Sequence, residues 1–178
     1  FKSAASEEET TATAPLLTET LYTRADIPIS DDYPVTTQSK DYIIRINLAY
    51  QCMTAYQVDV NGNETPVKAF ACSTARSAHL TPEDTYYTDE PYCGSGWCYM
   101  IDGTYGKYAY SLITADDEKY DGFMFHTVPC TEEDSGTMEW AEFNKLGTPA
   151  SMGCVRLATA DVIWLLDNVG TNSLVVIY

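Results

Sequence analysis

The chain of 178 residues has the length of one ordinary domain, alone or with a tail. Its 10 basic and 26 acidic side chains give a formal net charge of −16, which argues against a nucleic-acid-binding protein and against attachment by charge to anionic lipid. Hydrophobic residues make up 45% of the chain, enough for a globular core, and no apolar run approaches the roughly 20 residues of a membrane helix.

Residues 1–40 differ in composition from the remainder of the chain. They are rich in Ala, Thr, Ser and Glu without a sustained apolar period, which predicts a linker or stalk before a domain at 41–178. A strap packed on the domain surface is the alternative, with four residues as anchors: Leu16, Leu17, Leu21 and Tyr22. Because the chain starts without Met, we expect that a signal peptide or an anchor has been removed.

Deleting residues 1–38 is expected to change the melting temperature by only a few degrees, because a segment without an apolar period buries little surface. Calorimetry on the full and shortened chains measures the change. A collapse of stability would identify the segment as a structural strap.

The remainder of the chain begins with patterns typical of β-strands. Ile44, Ile46 and Leu48 alternate with polar residues, and two apolar runs flank Asn61-Gly62-Asn63, which predicts a β-hairpin. Further short, Tyr-rich runs are separated by Gly or Asp, and they occur at 97–103, 108–114 and 122–128. A last strand-like run ends the chain. This spacing predicts a mainly β fold, a sandwich or barrel, rather than a parallel α/β sheet.

Two short helices are predicted in the C-terminal part of the chain. The first covers 138–146, with Thr137 as its N-cap and Gly147 as its C-terminal stop. The second begins with Thr159 as its N-cap and ends before Gly170. The helical spacing of its apolar residues indicates one buried face.

The cysteines give little support for a metal. The chain has six Cys, no CxxC pair and only two His, so a structural zinc site is poorly supported, and we predict no metal and no cofactor. Disulfides of a secreted protein or buried thiols are the alternatives.

Two pairs of cysteines are candidates for disulfides. A three-residue loop at 61–63 would place Cys52 and Cys72 directly opposite each other, either bridged or as two buried thiols. Cys93 and Cys98 bracket four residues and are predicted to clip a loop in an extracellular protein. The two remaining cysteines would be unpaired.

Cys154 is the strongest candidate for a reactive residue. It follows Gly153, which allows the backbone to approach a substrate, and the positive charge of Arg156 favours a thiolate. Backbone N–H groups at such a turn can stabilise an oxyanion. The alternative is a buried, inert Cys beside a turn.

A thiol nucleophile requires a base, and the two His differ in their surroundings. His126 lies at the end of an apolar β-run, where a sheet holds it and still lets it reach a cleft, whereas His79 lies in a polar, loop-like stretch. His126 is therefore the predicted base. The alternative is a hydrogen-bonded core histidine.

Together these residues resemble the L,D-transpeptidase catalytic domain family, also called YkuD-like, especially its Gram-positive forms. That family carries a His at a strand end and a downstream segment of the form Ser-x-Gly-Cys-[Ile/Val]-Arg. The matching residues here are His126 and SMGCVRL at 151–157. The similarity covers about 41–178 and includes CSTA, TPEDTY, GTYGKYA and EFNKLGTPAS.

The sequence departs from the family's pattern in three places. Met152 stands where many members carry a second His. The His-to-Cys interval of 28 residues is longer than in compact members, and we expect the extra residues to form a lid or wall over the cleft. Glu83-Asp84 replaces the small and glycine residues expected there, so the loop should differ.

The resemblance implies an enzyme that cleaves the terminal D-residue from a peptidoglycan tetrapeptide stem and passes the acyl group to an amine of a neighbouring stem. Cys154 would carry the acyl group as a thioester, and His126 would be the general base. The main-chain carbonyl of Thr127 would orient the imidazole, and the N–H groups of Cys154 and Gly153 would form the oxyanion hole. The residues expected to shape the substrate pocket are Ser151, Met152, Arg156 and Tyr108. Arg156 could also meet a substrate carboxylate.

The Tyr-rich strands offer further residues for a peptide-binding cleft, with ordinary sheet positions as the alternative. They are Tyr99, Tyr105, Tyr108 and Tyr110.

The resemblance also implies partners and a location. Peptidoglycan stem peptides are the expected substrates of a monomer outside a bacterial cell, at its wall or surface, without nucleic acid and with membrane contact only through a removed N-terminal segment. The alternatives are a non-catalytic wall-binding module, a sortase-like acyltransferase and an L,D-carboxypeptidase that uses water. The presence of Cys154 and His126 argues against the first. The position of Arg156, two residues after the Cys, argues against the second.

Overall fold

The computed structural model describes residues 42–77, 80–93, 96–114 and 119–178. The predictions for residues 1–40, and the position of His79, lie outside these described residues. Within the described ranges, the helices are too short or too polar to cross a membrane.

Ten strands occur in the described part of the chain. They are β1 (Tyr42–Asn47), β2 (Cys52–Val58), β3 (Glu64–Ser73), β4 (Asp84–Pro91), β5 (Trp97–Tyr99), β6 (Tyr105–Lys107), β7 (Tyr110–Thr114), β8 (Lys119–Thr127), β9 (Val155–Leu157) and β10 (Leu174–Ile177). Eight of them close into a barrel in the order β1-β10-β4-β7-β8-β9-β3-β2, while β5 and β6 form a separate two-stranded sheet. The prediction of a mainly β barrel or sandwich is confirmed.

The apolar alternation read from the sequence accounts for how β1 sits in the barrel. Ile44 and Ile46 are fully buried, and β1 pairs antiparallel with β2 and parallel with β10. Because side chains alternate between the two faces of a strand, these residues point into the core while the intervening residues are only partly buried. The core also takes in the buried face of the second helix.

The hairpin of β2 and β3 turns through a longer loop than predicted. Five residues separate the strands, and the Asp59 side chain accepts hydrogen bonds from the N–H groups of Asn61 and Asn63 at 2.8 Å each. A further register shift occurs near Ala55. Local side-chain-to-backbone bonding thus replaced the shorter turn that the Asn-Gly-Asn sequence indicated.

This register separates the first predicted cysteine pair. Cys52 lies opposite Ala71 rather than opposite Cys72, and both cysteines are free. The predicted direct opposition is therefore wrong. Neighbouring residues on a strand point to opposite faces, so a shift of one residue moves Cys72 into the core while Cys52 stays half-buried.

The second predicted pair is bonded. Cys93 and Cys98 form a disulfide with a Cα–Cα distance of 5.9 Å, which ties the segment before β5 to β5 itself. The prediction of a clipped loop is confirmed.

The helices that position the site are α1 (Trp140–Phe143), α2 (Thr159–Asn168) and the 3-10 helix Ser135–Thr137. The helix predicted over 138–146 is too long, because Thr137 ends the 3-10 helix and donates to the carbonyl of Asp134 at 2.6 Å. Gly147, with φ of 91°, follows the turns after α1, as expected of a stop.

The helix α2 begins one residue earlier than predicted. Thr159 is its first residue, and the N-cap is Ala158, which makes no side-chain capping bond. The predicted buried face is present and includes Val162, Leu165 and Leu166.

Strand β4, which lies between β10 and β7 in the barrel, was not predicted from the sequence. Its inward side chains, Tyr86 and Thr88, are buried, but the strand also carries Asp84, Asp89 and Glu90 towards its ends. Pairing on both edges therefore forms a strand that local composition disfavours.

Candidate active site

Two neighbouring strands bring the predicted nucleophile and base together. Strands β8 and β9 pair in parallel, with His126 opposite Arg156, and Cys154 directly precedes β9. His126 and Cys154 line the same cleft of about 460 Å³. The 28-residue interval between them leaves the barrel and returns beside β8, so sequence separation does not separate the two side chains.

His126 is held in one tautomer. The residue is 2% exposed, and its Nδ1 lies 2.6 Å from the carbonyl oxygen of Thr127. A carbonyl only accepts, so Nδ1 carries the proton and Nε2 of the neutral ring carries a lone pair. The structure therefore places the carbonyl of Thr127 where the resemblance predicted it.

Burial and charge keep this imidazole neutral. Burial, followed by the positive charge of Arg156, lowers the pKa of His126 from 6.5 to about 4. A neutral imidazole with an available lone pair can accept a proton near neutral pH.

We expect His126 to make the protein less stable in acid. The unfolded chain binds a proton with a pKa near 6.5 and the folded chain only near 4, so stability falls as the pH drops through this window. The loss at pH 4 relative to pH 7 corresponds to about 3 kcal/mol. Denaturant unfolding of wild type and His126→Asn at both pH values isolates it, since the variant lacks this group. Equal acid sensitivity of the two proteins would contradict the buried, neutral state.

Cys154 lies at the end of a constrained turn. Gly153 has a φ of 149°, and its N–H donates to Ser151 Oγ at 3.1 Å. Thr81 donates its hydroxyl to the carbonyl of Gly153 at 2.6 Å and accepts from the N–H of Ala75 at 3.0 Å. This turn is therefore fastened to the chain after β3 through a buried threonine.

The hydrogen bonds of this turn limit what Gly153 can donate and add Thr81 to the residues that shape the site. The N–H of Gly153, predicted as an oxyanion donor, is already committed to Ser151. Thr81 was missed as a functional residue, although it belongs to the Thr-Pro segment that carries part of the family resemblance. That segment was the available signal, but it did not reveal the contact with Gly153.

The thiol of Cys154 is neutral rather than ionised. Burial raises the pKa of Cys154, while a backbone hydrogen bond from Met124 and the charge of Arg156 oppose this without outweighing it. Arg156 does favour the thiolate, as expected from the sequence, but desolvation of the buried thiol outweighs its charge. The resting pair is a neutral thiol and a neutral imidazole.

Arg156 is buried between two carboxylates. It is 7% exposed, with ion pairs to Glu142 at 2.8 Å and Asp102 at 3.2 Å. Burial raises the pKa of the Asp102 carboxyl, but hydrogen bonds from Thr104 and then the charge of Arg156 hold it below its usual range. The pKa of Glu142 is lowered chiefly by the hydrogen bond from Lys145, against burial, and Arg156 adds a smaller contribution. Within the described chain, its Nε is buried without a hydrogen-bond partner. Arg156 lines the cleft, but its charge is shared with groups that the sequence analysis did not identify.

The inserted segment between His126 and Cys154 is not a lid. None of residues 129–150, all of them described, lines the cleft. The segment packs Cys130 and Met138 with Trp140 in a separate apolar cluster, and it reaches the site through Glu142. It therefore supports Arg156 from the side.

The remaining predicted pocket residues divide between the cleft and the core. Ser151 and the exposed Met152 line the cleft. Tyr108 does not, because it is 1% exposed and belongs to the barrel core, so its predicted substrate contact is wrong. Tyr110 is buried and donates to the carbonyl of Val169 at 3.0 Å. Of the four candidate tyrosines, Tyr99 lines the cleft, and the ring of Tyr105 contacts it edge to face.

The sequence of the chain is similar to a known family and to a known bacterial protein. A family model for the L,D-transpeptidase catalytic domain, YkuD, matches residues 41–177. YciB, a candidate L,D-transpeptidase of Bacillus subtilis, is 44% identical over 55 residues, which are 31% of this chain and 27% of YciB.

Several solved structures have a similar fold. LdtMt1, an LD transpeptidase in complex with imipenem, has a TM-score of 0.58 at 14% identity over 79% of this chain and 60% of that chain. An L,D-transpeptidase from Mycobacterium smegmatis has a TM-score of 0.55 at 13% identity over 79% of this chain and 59% of that chain. An L,D-transpeptidase from Xylanimonas cellulosilytica has a TM-score of 0.52 at 18% identity over 82% of this chain and 64% of that chain. This chain thus spans less than two thirds of each relative.

The structural likenesses, all under 20% identity, concern the fold, whereas the family model covers the whole barrel and the cleft. It also includes the His and Cys segments that led to the family from the sequence. The chain therefore belongs to the L,D-transpeptidase catalytic domain family.

Proposed function

We propose that this chain is a peptidoglycan L,D-transpeptidase that forms cross-links through a thioester on Cys154. The observation that carries the proposal is the shared cleft, which is lined both by Cys154 and by His126, whose Nδ1–H is bonded to the carbonyl of Thr127. This arrangement leaves Nε2 as the base.

In the proposed reaction, Nε2 of His126 takes the thiol proton as the sulfur attacks the scissile carbonyl. The N–H of Cys154 stabilises the oxyanion. Collapse of the intermediate breaks the C–N bond, and the imidazolium gives its proton to the departing amine. The acceptor amine then attacks the thioester, His126 takes its proton, and the released sulfur is protonated again.

The charges around the site suit this neutral starting pair. Asp102 and Glu142 offset the positive charge of Arg156, so the imidazolium formed during proton transfer faces a smaller repulsion than from an unpaired guanidinium. This pairing also leaves Arg156 less available for a substrate carboxylate than the sequence suggested.

We further propose that the protein acts outside the cell, at the bacterial wall, as a monomer. The disulfide Cys93–Cys98 supports an oxidising compartment. The family supports a wall substrate.

Mass spectrometry of the products from a purified tetrapeptide stem tests the function. With an acceptor stem present, we expect the cross-linked dimer and the released D-residue. Release of the D-residue without a dimer would instead indicate an L,D-carboxypeptidase. No release would indicate a non-catalytic wall-binding module.

A further inference from the structure

The strand β6 touches the imidazole of His126 at Gly106. A Cβ at this position would lie 2.8 Å from Nδ1 and 3.1 Å from Cγ of His126, and 2.4 Å from the terminal methyl of Met100. Contacts below 3.0 Å require something to move. The backbone conformation does not demand glycine, because Gly106 is not among the residues with positive φ. The requirement therefore comes from the close approach to the ring.

The strand cannot easily move away from the ring. On one side of Gly106, Tyr105 and Cys130 exchange two backbone hydrogen bonds of 2.8 Å. On the other side, the N–H of Lys107 donates to the hydroxyl of Thr127 at 2.9 Å. The backbone is therefore fastened at both residues that flank the contact.

The opposite edge of β6 is also held. Gly106 lies opposite Cys98 in the β5–β6 pair, and Cys98 is in the disulfide with Cys93. A recoil of β6 would have to carry this cross-linked hairpin with it.

The ring has as little freedom as the strand. His126 is 2% exposed, and the carbonyl of Thr127 holds its Nδ1 at 2.6 Å. Thr127 thus fastens the imidazole through its carbonyl and β6 through its hydroxyl. A side chain at position 106 would therefore have to displace either the imidazole of His126 or the strand β6, although both are held by Thr127.

We propose that Gly106 is a positioning residue for the general base: its missing side chain lets β6 pack against the His126 imidazole and keeps Nδ1–H on the Thr127 carbonyl. The catalytic part of this proposal rests on the proposed function. The effect of Gly106 on the position and the tautomer of the His126 ring is independent of the proposed function.

The test is Gly106→Ala in a His79→Gln background, where His126 is the one remaining histidine. Nitrogen-15 NMR of the imidazole near pH 7 reports which nitrogen carries the proton. We expect wild type to show the Nδ1–H form, and Gly106→Ala to show a mixture or the other tautomer. The rate of Cys154 acylation should fall by about 10-fold or more, in kcat rather than KM, since a base misplaced by about 1 Å loses efficiency.

Two control variants separate this effect from damage to the hairpin. Gly103→Ala strains the same hairpin, where φ is +83°, but its Cβ would meet only the Tyr99 hydroxyl at 3.7 Å. It should leave the imidazole signals unchanged. Met100→Ala/Gly106→Ala removes the shortest contact but keeps the one with His126, so the defect should persist relative to Met100→Ala alone.

If Met100→Ala/Gly106→Ala has the imidazole signals and the acylation rate of Met100→Ala alone, the proposal is overturned. Contact with Met100, and not with His126, would then explain why position 106 requires glycine. Unchanged imidazole signals in Gly106→Ala would overturn it as well, whatever the activity. If Gly106→Ala does not fold, the double variant carries the same measurement. The NMR comparison needs no substrate, so an inactive wild type would refute the proposed function without deciding this point.

Discussion

Replacing Cys154 by Ser is expected to abolish formation of a covalent acyl-enzyme while leaving the fold intact. The change replaces one atom in a half-buried side chain. A hydroxyl has a far higher pKa than a thiol, so a single imidazole cannot generate enough alkoxide. Intact mass spectrometry with imipenem, the ligand of the similar LdtMt1 structure, measures the adduct directly. Wild type should gain one adduct and Cys154→Ser none.

Two variants serve as controls for this experiment. Cys52→Ser makes the same atom change at a half-buried free cysteine that does not line the cleft. It should retain the adduct. Met152→His places the second histidine of other family members on an exposed residue of the cleft, and it should keep or modestly raise the activity. An adduct on Cys154→Ser, or one that maps to Cys130, would refute Cys154 as the nucleophile.

Replacing His126 by Asn should lower the rate of acylation by roughly 10²–10⁴-fold, the usual contribution of a general base. The Asn amide can still donate a hydrogen bond toward the Thr127 carbonyl, but the variant lacks Nε2 and its lone pair. Stopped-flow acylation at saturating substrate measures the effect. A rise in KM with an unchanged rate at saturation would contradict a role in proton transfer and would indicate a role in substrate binding instead.

The pH dependence provides a second measurement on the same residue. The neutral ring is the active form, so activity of wild type should fall as the pH drops through about 4, where the imidazole becomes protonated. A histidine in water would produce this loss near 6.5. The residual activity of His126→Asn should lack this acid limb. An acid limb near 6.5 in wild type would show that the ring is hydrated rather than buried.

The sequence was sufficient for those properties that depend on local pattern and on residue type. Apolar alternation predicted β1 and the inward positions of Ile44 and Ile46, because the period of side chains along a strand is independent of what the strand pairs with. The Cys segment and the His at a strand end pointed to the family, because the chemistry requires these residue types. The predicted disulfide Cys93–Cys98 spans a short loop, so it too could be inferred locally.

Closure of the barrel decided the features that depend on distant partners. It made β4 a strand by pairing it on both edges, and it buried Tyr108 in the core rather than in the cleft. It brought Asp102 and Glu142 to Arg156 from 54 and 14 residues away. Desolvation then made the Cys154 thiol neutral despite that arginine, and Gly106 became necessary only where β6 meets His126. Burial and long-range contacts are properties of the assembled barrel, and a linear pattern of residues carries no record of them.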